Sequence, residues 1–98
     1  MVRHIILWQL KDALSPDEKQ TVLANMKREL EALVGVVPGL CELTVHIEGL
    51  ATSNADAMLE STLTDAEALA GYAVHPAHVA AANNFVRPFT KARLCLDF

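Results

Sequence analysis

Gly71-Tyr72-Ala73-Val74-His75-Pro76-Ala77-His78 is the stretch on which the reading of this 98-residue chain turns. In eight residues it ends one helix and starts another. Upstream, Asp65 can cap the free N–H groups of the helix formers from Ala66 to Ala70. That helix is expected to end near Tyr72. Pro76 disfavours a helical backbone at His75 but suits the first turn of a following helix, expected to run to about Asn84. His75 then sits at or near an N-cap, and His78 within the first turn. The corner gathers a phenol and two imidazoles, more ionisable chemistry than any other segment holds. It can bring Tyr72 and His78 to one cavity.

Outward from this corner the chain alternates strands and helices. Ala57 to Leu63 reads as a strand with Ala57, Leu59, Ser61 and Leu63 on one side. A polar loop from Gly49 to Asn54 precedes it, and before that loop Leu43, Val45 and Ile47 alternate with Glu42, Thr44, His46 and Glu48. Ser15-Pro16-Asp17-Glu18 is a capping box with proline at the first helical position. Val22, Leu23, Met26, Leu30 and Leu33 then keep the helical period to about Val34, where Gly35 can cap and Pro38-Gly39 can turn. His4 to Leu10 reads as a strand apolar on both faces, hence covered on both, with His4, Ile6, Trp8 and Leu10 sharing one side. Lys91 to Phe98 closes the chain as a strand with Ala92, Leu94, Leu96 and Phe98 together. The order strand, helix, strand, strand, helix, strand predicts one α+β domain over residues 1–98. Its form is ferredoxin-like: an antiparallel four-stranded sheet with helices on one face.

Composition narrows the partners. The chain is 52% hydrophobic with a mean hydropathy of +0.25, high for a domain this small. Apolar surface beyond what one subunit can bury predicts a homodimer, two sheets closing face to face. The net charge of −4 and scattered basic residues argue against nucleic acid. Neither a signal peptide nor a membrane span is legible. Cys41 and Cys95 fit no metal spacing and make a weak disulfide case. A cytoplasmic protein with reduced thiols is expected.

The chain resembles the stress-responsive dimeric α/β-barrel (Dabb) family. The likeness rests on the opening His4-Ile5-Ile6-Leu7-Trp8, the Pro38-Gly39 turn, Tyr72 with His75-Pro76-Ala77-His78, and the closing Phe85-Val86-Arg87-Pro88. It covers essentially the whole chain. It implies a ferredoxin-like subunit whose two sheets form a barrel in a homodimer. In one enzymatic branch, a plant polyketide cyclase, a tyrosine and a histidine form an acid/base pair that closes a poly-β-keto thioester without a cofactor. Those residues fall on Tyr72 and His78 here, and an early histidine falls on His4. A histidine on that cyclase's third strand meets Ala57.

Two readings from different classes follow. In the first, a cofactor-free cyclase, lyase or isomerase acts on a small apolar carbonyl compound, with Tyr72 and His78 as acid/base pair and His4 and Trp8 lining the pocket. In the second, a non-catalytic stress-responsive dimer binds small molecules, and His78 and Tyr72 only pack and bond locally. A cofactor-independent monooxygenase is a third reading, by analogy of fold. His75 reads as a cap, and His46 as solvated or at an interface. No carboxylate or cysteine completes a metal site around His75 and His78, so none is expected.

Overall fold

Strand β1 (Val2–Leu10) leads through α1 (Pro16–Glu31), β2 (Leu40–His46), β3 (Ala57–Leu63), α2 (Ala66–Val74) and α3 (Pro76–Ala81) to β4 (Thr90–Asp97) in a computed structural model describing residues 1–98. The sheet order is β2-β3-β1-β4 and every pairing is antiparallel. This is the ferredoxin-like subunit that the element order predicts. No helix is long and apolar enough to cross a membrane.

The helix starts obey the local chemistry. Ser15 Oγ accepts from the Glu18 N–H at 3.1 Å, and Glu18 Oε1 accepts from the Ser15 N–H at 2.9 Å. Asp65 caps α2 by accepting from the Ala68 N–H at 2.7 Å. α1 stops at Glu31, short of the expected Val34, because Val34-Gly35-Val36-Val37 sets β-branched residues around a glycine. Its last turn is tied to the sheet instead. Glu31 accepts from Lys27 Nζ at 2.8 Å and from the Val45 N–H at 3.0 Å, while Lys27 donates to the Val45 carbonyl at 2.8 Å.

Two glycines with positive φ follow α1, and they carry different loads. Gly39 (φ 81°) lies so close to α2 that a Cβ would stand 2.6 Å from the Ala68 Cβ, whereas Gly35 (φ 89°) faces open space. Gly39→Ala is therefore expected to destabilise by about 2–4 kcal/mol, backbone strain plus overpacking, and Gly35→Ala by about 1 kcal/mol from strain alone. Urea unfolding of the two variants checks this. Equal losses would remove the Gly39–Ala68 contact from the account.

The sheet has two unlike faces. His4, Ile6, Trp8 and Leu10 of β1 are buried toward the helices, with Leu43, Val45, Ala57, Leu59, Ser61 and Leu63 beside them and Val22, Leu23, Met26 and Leu30 of α1 above. On the other face Ile5 and Leu7 pair with Leu96 and Leu94 on one flank and with Glu60 and Met58 on the other. The expectation that β1 is covered on both faces does not hold within one subunit. Leu94 is 71% exposed and Leu96 64%. The open face is itself divided: its β1–β4 half is apolar, while on the β2–β3 half Glu60 meets Arg3 at 4.0 Å and His46 at 3.4 Å. The acidic partner of His46 is thus Glu60, across the sheet on β3.

The segment after the corner also departs from expectation. In place of a helix to Asn84, α3 gives way to one π-helical turn (Ala82–Val86) and a 3₁₀ turn (Arg87–Phe89). The wider turn keeps both Ala82 and Val86 buried and leads Arg87 to the exposed rim of the site below. Phe98, predicted within the last strand, lies just past it, yet Arg3 and Phe98 still exchange both backbone hydrogen bonds.

Candidate active site

A cleft of about 350 Å³ opens between the helix layer and the helix-side face of β1 and β4. Its walls are largely apolar: Ile6, Trp8, Leu30, Leu59, Ala82 and Val86. Five polar side chains join them: Tyr72, His78, Arg87, Thr90 and Arg93. Two of the predicted site residues, Tyr72 and His78, come together here, with ring centroids 4.2 Å apart. Trp8 lines the same cleft.

The corner sets the states of both groups. Tyr72, near the end of α2, is only 2% exposed, and burial pushes its phenol up to about 12 despite the opposing charge of Arg93. No protein group hydrogen-bonds its hydroxyl, and no buried side-chain polar atom is sealed off without a partner, so that hydroxyl opens on the cleft. His78 is half-buried on the first turn of α3. Its Nδ1 lies 3.2 Å from the Ala73 carbonyl, which makes Nδ1 the protonated nitrogen and leaves Nε2 free to take a proton. Burial lowers the His78 pKa, the Ala73 hydrogen bond opposes this, and Arg87, His4 and Arg93 add to the lowering. Near neutral pH the site therefore presents a neutral imidazole and an un-ionised phenol.

His4 is placed differently from expectation. It shares the Trp8 side of β1 but is buried behind Tyr72, its ring edge-on at 5.9 Å, and does not line the cleft. Its Nδ1 is bonded to Asp97 Oδ1 of β4. Burial raises the Asp97 pKa, but the His4 bond and charge outweigh it and hold the carboxyl below its ordinary range. His75 is the predicted cap: its Nδ1 accepts from the Ala77 N–H at 3.1 Å.

Asp97, Arg87, Thr90 and Arg93 were not singled out from sequence. The alternation of β4 carried a signal, since placing Leu94 and Leu96 on one face puts Arg93, Cys95 and Asp97 on the other. Ligand atoms of His4, Cys95 and Asp97 lie within 4.8 Å of one another, the one group that could touch a metal ion. There His4 and Asp97 already bond each other, and burial together with Asp97 raises the Cys95 pKa, which disfavours the thiolate a metal needs. Both cysteines are free.

The chain is similar to known proteins along its whole length. The family model described as the stress responsive A/B barrel domain matches residues 2–98. A stress-response A/B barrel domain-containing protein, HS1, from Arabidopsis thaliana is 32% identical over 99% of this chain and 87% of its own. A dimeric ferredoxin-like protein of unknown function from Bacteroides fragilis superposes with a TM-score of 0.93 at 28% identity, covering 99% of this chain and 93% of that one. A hydroxynitrile lyase from Passiflora edulis, 19% identical with a TM-score of 0.73 over 99% of this chain and 90% of its own, is a likeness of fold alone. With the subunit fold, the Tyr72–His78 corner and this match over residues 2–98 in hand, the chain belongs to the stress-responsive A/B barrel (Dabb) domain family.

Proposed function

We propose that this protein is a homodimeric, cofactor-free enzyme that moves a proton next to a carbonyl group, by enolisation or by ring closure through an aldol step. What supports the reading is one juxtaposition: a neutral imidazole and an un-ionised phenol, in ring contact, at an apolar cleft. His78 Nε2 takes the proton from the carbon beside the carbonyl, and the C–H electron pair passes into the enolate. Tyr72 O–H donates to the developing oxyanion, as a phenol held near 12 remains protonated at any ordinary pH. The enolate carbon is then reprotonated from the His78 imidazolium, or it attacks a second carbonyl, whose π pair moves to oxygen and takes that same proton. Every proton taken is returned, so no cofactor is needed. The dimer rests on the apolar half of the open sheet face and on the dimeric state described for the Bacteroides protein.

The alternative is a ligand-binding dimer without catalysis. The bond from His78 Nδ1 to Ala73 favours it, since a purely architectural corner would make the same contact. NMR titration of His78 in wild type and Tyr72→Phe separates the two. The wild-type midpoint is expected below the ordinary value of about 6.5, and lower still in the variant, where a dipole is lost from the imidazole's surroundings. A His78 that does not titrate, or that ignores the substitution, leaves only the binding role.

A further inference from the structure

Neither arginine of the cleft has a carboxylate within 4.0 Å, although the charge of Arg93 is felt by Asp97 and Cys95 beside it on β4. Four of the eight basic residues are matched to carboxylates within 4.0 Å: Arg3 to Glu60, Lys27 to Glu31, Arg28 to Glu29 and Lys91 to Asp12. Arg87 and Arg93 are not among them. No aspartate or glutamate lines the cleft. The side chain of Arg87 donates to the neutral amide oxygen of Asn83. Asp97, two residues from Arg93 on the same side of β4, is engaged by His4. In a chain of net charge −4, two unmatched guanidinium groups thus share one apolar cleft.

We propose that the cleft takes a carboxylate on a short apolar chain, its anion held by Arg87 and Arg93 and its chain lying against Trp8 and Ile6. Guanidinium forks match the geometry of a carboxylate, and Thr90 adds a hydroxyl beside them. A volume of about 350 Å³ is at the small end of ligand sites, so the chain is short. The inference rests on reading this cleft as the binding site, and it narrows the proposed substrate from carbonyl compounds in general to oxo acids. The arginines then serve twice, anchoring the carboxylate and favouring the negative charge that develops when the neighbouring carbon loses its proton.

Trp8 is the single tryptophan and lines the cleft, so its fluorescence reports occupancy directly. Octanoate and methyl octanoate are titrated against the dimeric protein at low and high salt. Octanoate is expected to bind at least about tenfold more tightly than the ester, with an affinity that falls as salt rises. Arg93→Gln and Arg87→Gln are each expected to weaken octanoate about tenfold and leave the ester unchanged, and the Lys variants to recover part of the loss. Both arginines are exposed, so circular dichroism should show the variants folded. Equal binding of acid and ester overturns the proposal, as does a spectrum that responds to neither. The outcome is separable from that of the acid/base reading. An octanoate preference without proton exchange by Tyr72 and His78 keeps this inference and sinks that reading. Exchange that runs equally on an oxo acid and its ester does the reverse.

Discussion

His78→Asn is expected to slow deuterium exchange beside the ketone of 2-oxooctanoate by about 10²–10⁴-fold, the usual worth of a positioned general base. Asparagine keeps the size and a donor toward the Ala73 carbonyl but has no nitrogen that takes a proton near neutral pH. Tyr72→Phe should cost about 10²–10³-fold, the loss from removing one oxyanion donor. The ring stays in the core, so the loss arises from the hydroxyl alone. The wild-type rate should also fall on the acid side. Burial holds the His78 pKa under its ordinary value, so the imidazole stays neutral and competent down to pH values below about 6.5, and only there does protonation switch it off. No alkaline limb is expected before the phenol ionises, near 12. Proton NMR in D₂O follows the exchange, and His46→Asn, half-exposed on the far face of the sheet, is the control. Variants that exchange as fast as wild type would end the acid/base reading.

The parts of this site differed in how readily they could be read from sequence, for reasons that are local. The Tyr72–His78 corner was legible because its determinants lie within one short segment: an aspartate cap, a proline at a helix start, and histidines placed by that proline. Ser15 and Glu18 were legible for the same reason. The partnership of His4 with Asp97 was not, since it spans nearly the whole chain and depends on the register of β1 against β4. Nor was the π-helical turn at Ala82–Val86, since the weak helix formers Asn83, Asn84, Phe85 and Val86 signal only that the helix ends, not the wider turn that keeps Ala82 and Val86 buried. Arg87 stood out only as part of Phe85-Val86-Arg87-Pro88 and Arg93 not at all, because only the packing of the turn against β4 sets them on one cleft. The apolar period of β1 was legible, but strand pattern alone reports only that a face avoids water; the surplus of apolar residues over what one small subunit can bury is what pointed to a second copy.

That second copy carries the other large effect. Leu94→Asp combined with Leu96→Asp is expected to convert a micromolar dimer into a monomer. Each leucine is well exposed in the single subunit, so its change should leave the subunit fold nearly untouched. In a two-fold interface each substitution counts twice. Burying a leucine contributes about 1.5–3 kcal/mol, and an unpaired carboxylate in its place adds a desolvation cost of several kcal/mol. Even two leucines lost per interface at the lower figure come to about 3 kcal/mol, more than a hundredfold in the dimer constant, before the charges are considered. Thr44→Asp on the polar half of the same face should do much less, because the side chains around it are already charged or hydrogen-bonding. Light scattering coupled to size exclusion, with circular dichroism to show the subunit intact, reads both variants. If the double variant remains dimeric, the subunits do not meet through Leu94 and Leu96. If wild type is monomeric at micromolar concentration, those leucines face water in the native protein, and the barrel is not its assembly.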